Sequence, residues 1–95
     1  MNKKMMQQLQ DLQREMNETQ ERLLMTEFEG KASGVKVIML GSHQVVDIHI
    51  DEDLFEDKDM LQDAILLAIN DAVENVRKTT NDEMSKFTAG LGLRF

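Results

Sequence analysis

The first 24 residues restrict the fold more than any other stretch of this 95-residue chain. Met5, Leu9, Leu12, Met16 and Leu23 follow at steps of 4, 3, 4 and 7, with Thr19 filling the gap. That is the a/d seam of a coiled coil, held over nearly three heptads. Residues 2–24 contain no glycine, and Thr19 is their sole β-branched residue. Nothing in them opposes a helix of about 20 residues, roughly 30 Å long. The seam is narrower than the stripe by which a surface helix joins a globular core. A second copy of the same helix is its simplest cover. The seam therefore predicts a homodimer with Met5, Leu9, Leu12, Met16 and Leu23 in the interface. A chain with eight methionines suits such an adaptable contact, although Met25, Met39 and Met60 read as core filler.

After residue 24 the period changes. Leu24 to Glu29 alternates, and Gly30-Lys31-Ala32-Ser33-Gly34 is a glycine-containing connection. Val35 to Leu40 is β-branched and mostly apolar, Gly41-Ser42-His43 is a tight turn, and Gln44 to Ile50 alternates again with Val46, Ile48 and Ile50 on one face. Three short runs joined by two turns predict a three-stranded antiparallel meander over residues 25–50. Residues 51–57 form an acidic connection, with Asp57 placed to cap the next helix. That helix is predicted over 58–87. Leu61, Ile65, Ala68, Ala72 and Val76 form its stripe, widened by Ala64, Ile69 and Val73. The alanines leave room for a close neighbour. Residues 88–95 read as a short tail, mobile at its end. The expected fold is a single α+β domain, an α-β-β-β-α subunit.

Absences narrow the function. There is no cysteine, so disulfides, thiolate metal sites and cysteine nucleophiles are excluded. The longest apolar run, Ala64 to Ile69, is far short of the roughly 20 residues that span a bilayer, and no secretory leader pattern follows Lys3-Lys4. A cytoplasmic location is expected, with no membrane contact. His43 and His49 are the two histidines, and with Asp47 they lack the spacing of a metal site. Asp51 to Asp59 fails as a calcium loop: Glu56 replaces the required glycine and Gln62 the final glutamate. No phosphate-binding, dinucleotide, zinc-protease or nucleophile-elbow motif occurs. No catalytic residue, metal, cofactor or small-molecule substrate is expected, and the chain does not read as an enzyme.

The net charge of −7 opposes nucleic acid at first sight. Its distribution does not. Residues 51–60 carry six acids and one base, a net −5, whereas residues 1–22 carry four of each. Both helices are nearly neutral, and their bases are Lys3, Lys4, Arg14 and Arg22 on the first and Arg77, Lys78 and Lys86 on the second.

In order and spacing, the chain resembles the YbaB/EbfC family of bacterial nucleoid-associated proteins over almost its whole length. The resemblance lies in Met5-Met6-Gln7-Gln8-Leu9-Gln10 through Met16, in Glu29-Gly30-Lys31-Ala32-Ser33-Gly34-Val35-Lys36-Val37, in Val45 to Asp51, in Asp53-Leu54-Phe55-Glu56-Asp57, in Met60 to Ala72, and in the Gly-Leu-Gly-Leu tail. It implies a tweezer-like homodimer with long terminal helices as its arms. It also implies binding of double-stranded DNA with little sequence preference, nucleoid organisation and effects on gene expression. The genes often neighbour those of replication and recombination proteins, which are therefore possible further partners. The seven helix bases above are the DNA contacts the resemblance implies. The family often carries lysine where this chain has Gln7, Glu15 and Glu18, and a proline after the equivalent of Asp51. A protein-interaction module of the same fold, docking onto replication or recombination proteins through its helix ends or residues 51–60, is the alternative reading.

Overall fold

In the computed structural model, which describes residues 2–90, the elements follow in the order read from the sequence. Helix α1 spans Lys3–Met25, strands β1, β2 and β3 span Glu27–Ala32, Val35–Leu40 and Val45–Ile50, and helix α2 spans Lys58–Gly90. The sheet is an antiparallel meander in the order β1-β2-β3. Leu24 and Met25 continue α1, which the Asn2 side chain opens by accepting from Met5 N–H at 2.8 Å and which stops where Thr26 N–H donates to the Leu23 carbonyl. The acidic connection contains one turn of 3₁₀ helix, Glu52–Glu56, which the sequence did not signal. Leu54 anchors it by burial beside Gly34. The Asp57 carboxylate accepts from Met60 N–H at 3.1 Å and caps α2. Thr88, Ala89 and Gly90 extend α2 where a tail was expected, and residues 91–95 lie outside the described residues.

The core lies between α2 and the first two strands. Val35, Val37 and Met39 alternate inward on β2 and meet Ala64, Ala68, Ala72 and Val76, which recur every fourth residue on α2. Gly30 explains the alanines. A Cβ there would stand 2.1 Å from the Ala68 carbonyl oxygen and 2.6 Å from the Ala72 Cβ. The backbones of β1 and α2 therefore touch, and only glycine against alanine permits it. Helix α2 also satisfies the outer edge of β1. The Asp71 carboxylate accepts from Lys31 N–H at 2.9 Å, and the Asn75 amide donates to the Glu29 carbonyl at 2.7 Å. An edge covered in this way is closed to stray strand pairing.

Two expectations need correction. Met39 is buried, but Met25 and Met60 are exposed, since each sits at a helix end beyond the reach of the core. The alternation puts Val46, Ile48 and Ile50 on one apolar face, yet Val46 and Ile48 are exposed and Ile50 is half-buried. Val37 and Val35, the cross-strand partners of Ile48 and Ile50, are covered because α2 lies over β1 and β2, which leaves β3 bare.

The molecule measures 68 × 23 × 11 Å, with a radius of gyration of 18.8 Å. A compact domain of this length would have about 12 Å. The excess comes from the two helices. Helix α2 outruns the sheet, and α1 joins the body through its C-terminal end.

Candidate nucleic-acid interface

The joint of α1 is built from few parts. Leu23 is 3% exposed, and its carbonyl lies where a Cβ on Gly41 would fall. Thr80 and Met84 of α2 line the same depression as Leu23 and Gly41. Backbone N–H groups of Gly41 and Ser42 donate to the carbonyls of Thr26 and Leu24. Across the joint, Arg22 Nη2 stands 3.6 Å from a Glu83 carboxylate oxygen. From this point the seam runs out of the body. Leu12, Met16 and Thr19 are half-buried, while Met5 and Leu9 are exposed. The seam residues thus divide: Leu23 is spent inside the subunit, because α2 runs past the sheet to meet it, and the outer two face solvent.

At about 100° per residue, Lys3, Lys4, Arg14 and Arg22 fall within an arc of about 100° on α1, Lys3 and Arg14 opposite the seam and Lys4 and Arg22 on its flank. All four are exposed. The three bases of α2 share no face: Arg77, Lys78 and Lys86 spread over about 180° of that helix. The structure therefore collects the first set and scatters the second. The acidic segment sits elsewhere. Residues 51–60 open α2, whereas α1 docks near Thr80 and Glu83, about 35 Å further along the helix. That exceeds several screening lengths at physiological salt.

The sequence reading missed how the bases are paired. Arg14 lies 3.4 Å from Asp11 and 3.9 Å from Glu18. Arg77 makes a bidentate contact with Glu74, through Nε at 3.2 Å and through Nη2. The Arg77 hydrogen bond holds the Glu74 carboxyl below its usual range and raises the guanidinium in turn. Lys86 lies 3.4 Å from Glu83. The pairs within a helix were legible from their three- and four-residue spacing. Arg22 with Glu83 was not, since 61 positions separate them.

His43 holds a left-handed φ of 71° in the β2–β3 turn, so it is a turn residue, and His49 pairs with its strand neighbour Asp47 at 2.9 Å. Among the described residues no three His, Cys, Asp or Glu side chains group to hold a metal, and no helix is long and apolar enough to cross a membrane.

Residues 1–91 match the YbaB/EbfC DNA-binding family. The chain belongs to that family. It is 41% identical over 92 residues to a protein of Hahella chejuensis named a nucleoid-associated protein, covering 94% of this chain and 85% of that one. It is 40% identical over 91 residues to a protein of Ligilactobacillus salivarius with the same name, covering 92% and 88%. A crystal structure of an uncharacterized protein from Helicobacter pylori superposes with a TM-score of 0.70 at 26% identity, covering 90% of this chain and 96% of that chain. DNA is thus the partner that family membership assigns, and an α-β-β-β-α subunit with an open sheet is the fold of this YbaB/EbfC member.

Proposed function

We propose that this chain forms a homodimer that binds double-stranded DNA with little sequence preference, organising the nucleoid and thereby affecting gene expression in the bacterial cytoplasm. Phosphates are contacted by Lys3, Lys4, Arg14 and Arg22 of α1, with Arg77, Lys78 and Lys86 of α2 in support. The observation that carries this reading is the single exposed arc of four cations on an arm set about 35 Å from the acidic segment. Side chains of this type reach phosphate and carry no base code. Dimerisation is supported by Met5 and Leu9 at the outer seam and by Val45, Val46 and Ile48 on bare β3, apolar surface that a second copy would cover. Titration of DNA in a mobility-shift assay tests the reading. Absence of binding at about 50 mM salt, where phosphate contacts are strongest, would refute it. Replacing Arg14 and Arg22 by alanine weakens binding to all sequences alike; a sequence-selective loss contradicts a phosphate-only interface. Sedimentation of a folded monomer at low micromolar concentration would remove the dimer.

One observation favours the alternative, a module that docks onto replication or recombination proteins. Arg14, Arg22 and Arg77 are all paired with carboxylates, yet none of the six acids in residues 51–60 makes an ion pair among the described residues. Apart from Asp57, which caps α2, those charges are free to meet a basic protein surface. Recovery of a stable protein partner, together with negligible DNA affinity, would favour this reading over the first.

A further inference from the structure

Glu83 differs from the other paired carboxylates. Its side chain is 32% exposed, the lowest among them, and it serves cations from two helices. One oxygen faces Arg22 of α1 at 3.6 Å and the other faces Lys86 of its own helix at 3.4 Å. It makes the single ion pair between α1 and α2 among the described residues. Both separations exceed the about 2.7–2.9 Å of a strong charge-assisted hydrogen bond. The two cations are 59% and 71% exposed, so each can reach an incoming anion without leaving its helix. Arg77 is the contrast: its bidentate contact with Glu74 is tight and local.

We infer that Glu83 is an internal competitor for DNA phosphate, holding Arg22 and Lys86 in the free protein and surrendering them to phosphate when DNA binds. This rests on the DNA-binding reading above. A phosphodiester carries the same charge as a carboxylate and accepts the same fork of guanidinium donors. The exchange therefore replaces one anion by another, and the Glu83 charge left behind opposes the complex. Glu83 sets the affinity from below. It also ties the exchange to the joint of α1, because Arg22 is the residue through which that arm is electrostatically fastened to α2.

Substitution Glu83→Gln keeps the size and removes the charge. Glu52→Gln, in the acidic segment at the far end of α2, makes the same change in net charge as a control. Exposed ion pairs are individually weak, so both variants melt within a few degrees of wild type. Glu83→Gln is expected to bind duplex DNA about three- to tenfold more tightly at about 50 mM salt, the scale of two released surface pairs. Glu52→Gln changes binding less than about twofold. The gain vanishes when Arg22 and Lys86 are both alanine, because no cation then remains to be released. Elution from immobilised heparin provides a polyanion independent of DNA, and Glu83→Gln elutes at higher salt than Glu52→Gln. Equal elution of the two variants overturns the inference, as does a gain that survives the loss of Arg22 and Lys86. If neither wild type nor Glu83→Gln binds DNA while the heparin difference persists, the DNA reading falls and the competition at Glu83 stands.

Discussion

Gly30→Ala adds one methyl group at the closest approach in the fold. The new Cβ would lie 2.1 Å from the Ala68 oxygen, 2.4 Å from the Ala72 nitrogen and 2.6 Å from the Ala72 Cβ. Two of these are backbone atoms of a 33-residue helix, so no side chain can swing aside. Relief requires β1 and α2 to separate by about 1 Å, judged against ordinary carbon contacts. That separation strains the Lys31–Asp71 and Glu29–Asn75 hydrogen bonds, which close the outer edge of β1. Overpacking costs about 1–3 kcal/mol, and each disturbed hydrogen bond about 1 kcal/mol more. Replacing a strand glycine returns about 0.5–1 kcal/mol of chain entropy. The net loss is about 3 kcal/mol, a large share of the roughly 5–14 kcal/mol available to a domain this long. The melting temperature should fall by about 12–24 °C, read by circular dichroism at fixed protein concentration because the stability of the proposed dimer would depend on it. Adding Ala72→Gly removes the 2.6 Å contact but not the 2.1 Å one, so it should not rescue the variant. Melting of Gly30→Ala within about 3 °C of wild type would show that the helix can retreat freely, and would refute the argument that Gly30 and the alanines are one device.

Three further outcomes follow from named contacts. Asp71→Ala leaves the Lys31 amide without its acceptor and should cost about 1–2 kcal/mol, with exchange protection at Lys31 lost first; Asp71→Asn should cost less, since an acceptor oxygen remains. The two helix caps should behave differently. Asp57→Ala should lower global stability by about 1 kcal/mol in urea titration, whereas Asn2→Ala should show mainly as faster amide exchange at Met5 and Met6, because the first turns of α1 pack on nothing in the subunit. The Glu74 carboxyl, beside the Arg77 guanidinium, titrates below the usual 4.5 in the folded protein. A depressed acid contributes stability above its unfolded value and loses it as pH falls through the folded one. The small melting difference between wild type and Glu74→Gln should therefore be present at about pH 7 and shrink as pH falls below the usual carboxylate range.

Periodicity exposed the fold of this YbaB/EbfC protein because each element obeys its own spacing. The apolar run Val35 to Leu40 and the stripe Leu61, Ile65, Ala68, Ala72 and Val76 mark core elements; the structure buries Val35, Val37, Met39, Ala68, Ala72 and Val76 and packs half-buried Leu61 and Ile65 beside them. The errors share one cause. The reading knew which face of an element was apolar but not what length of the neighbouring element lay over it. Helix α2 covers β1 and β2, so Val46 and Ile48 stay bare despite correct alternation. It also outruns the sheet, so Leu23 finds a partner inside the subunit. At the candidate interface the cations were visible one by one, and their common face on α1 follows from helix geometry. Their neutralisation across the fold was hidden, because a pair such as Arg22 and Glu83 exists only once the chain has folded.

That pairing decides what salt should do to binding. Arg14, Arg22, Arg77 and Lys86 each face a carboxylate, while Lys3, Lys4 and Lys78 make no ion pair among the described residues. A free lysine that meets a phosphate releases a condensed cation from DNA. A paired arginine that does so also frees a carboxylate, which gathers a cation from solution and offsets the release. Salt dependence should then follow the free cations alone. With both subunits engaged, six free lysines give a slope of log K against log salt of about −5, whereas fourteen unmasked cations would give about −13. Titrations from about 50 to 200 mM salt separate these values, since the two slopes differ by several orders of magnitude in affinity over that range. A slope near −13 for the wild-type protein would mean that the carboxylates do not compete, and the picture of an interface masked by its own acids would have to be given up.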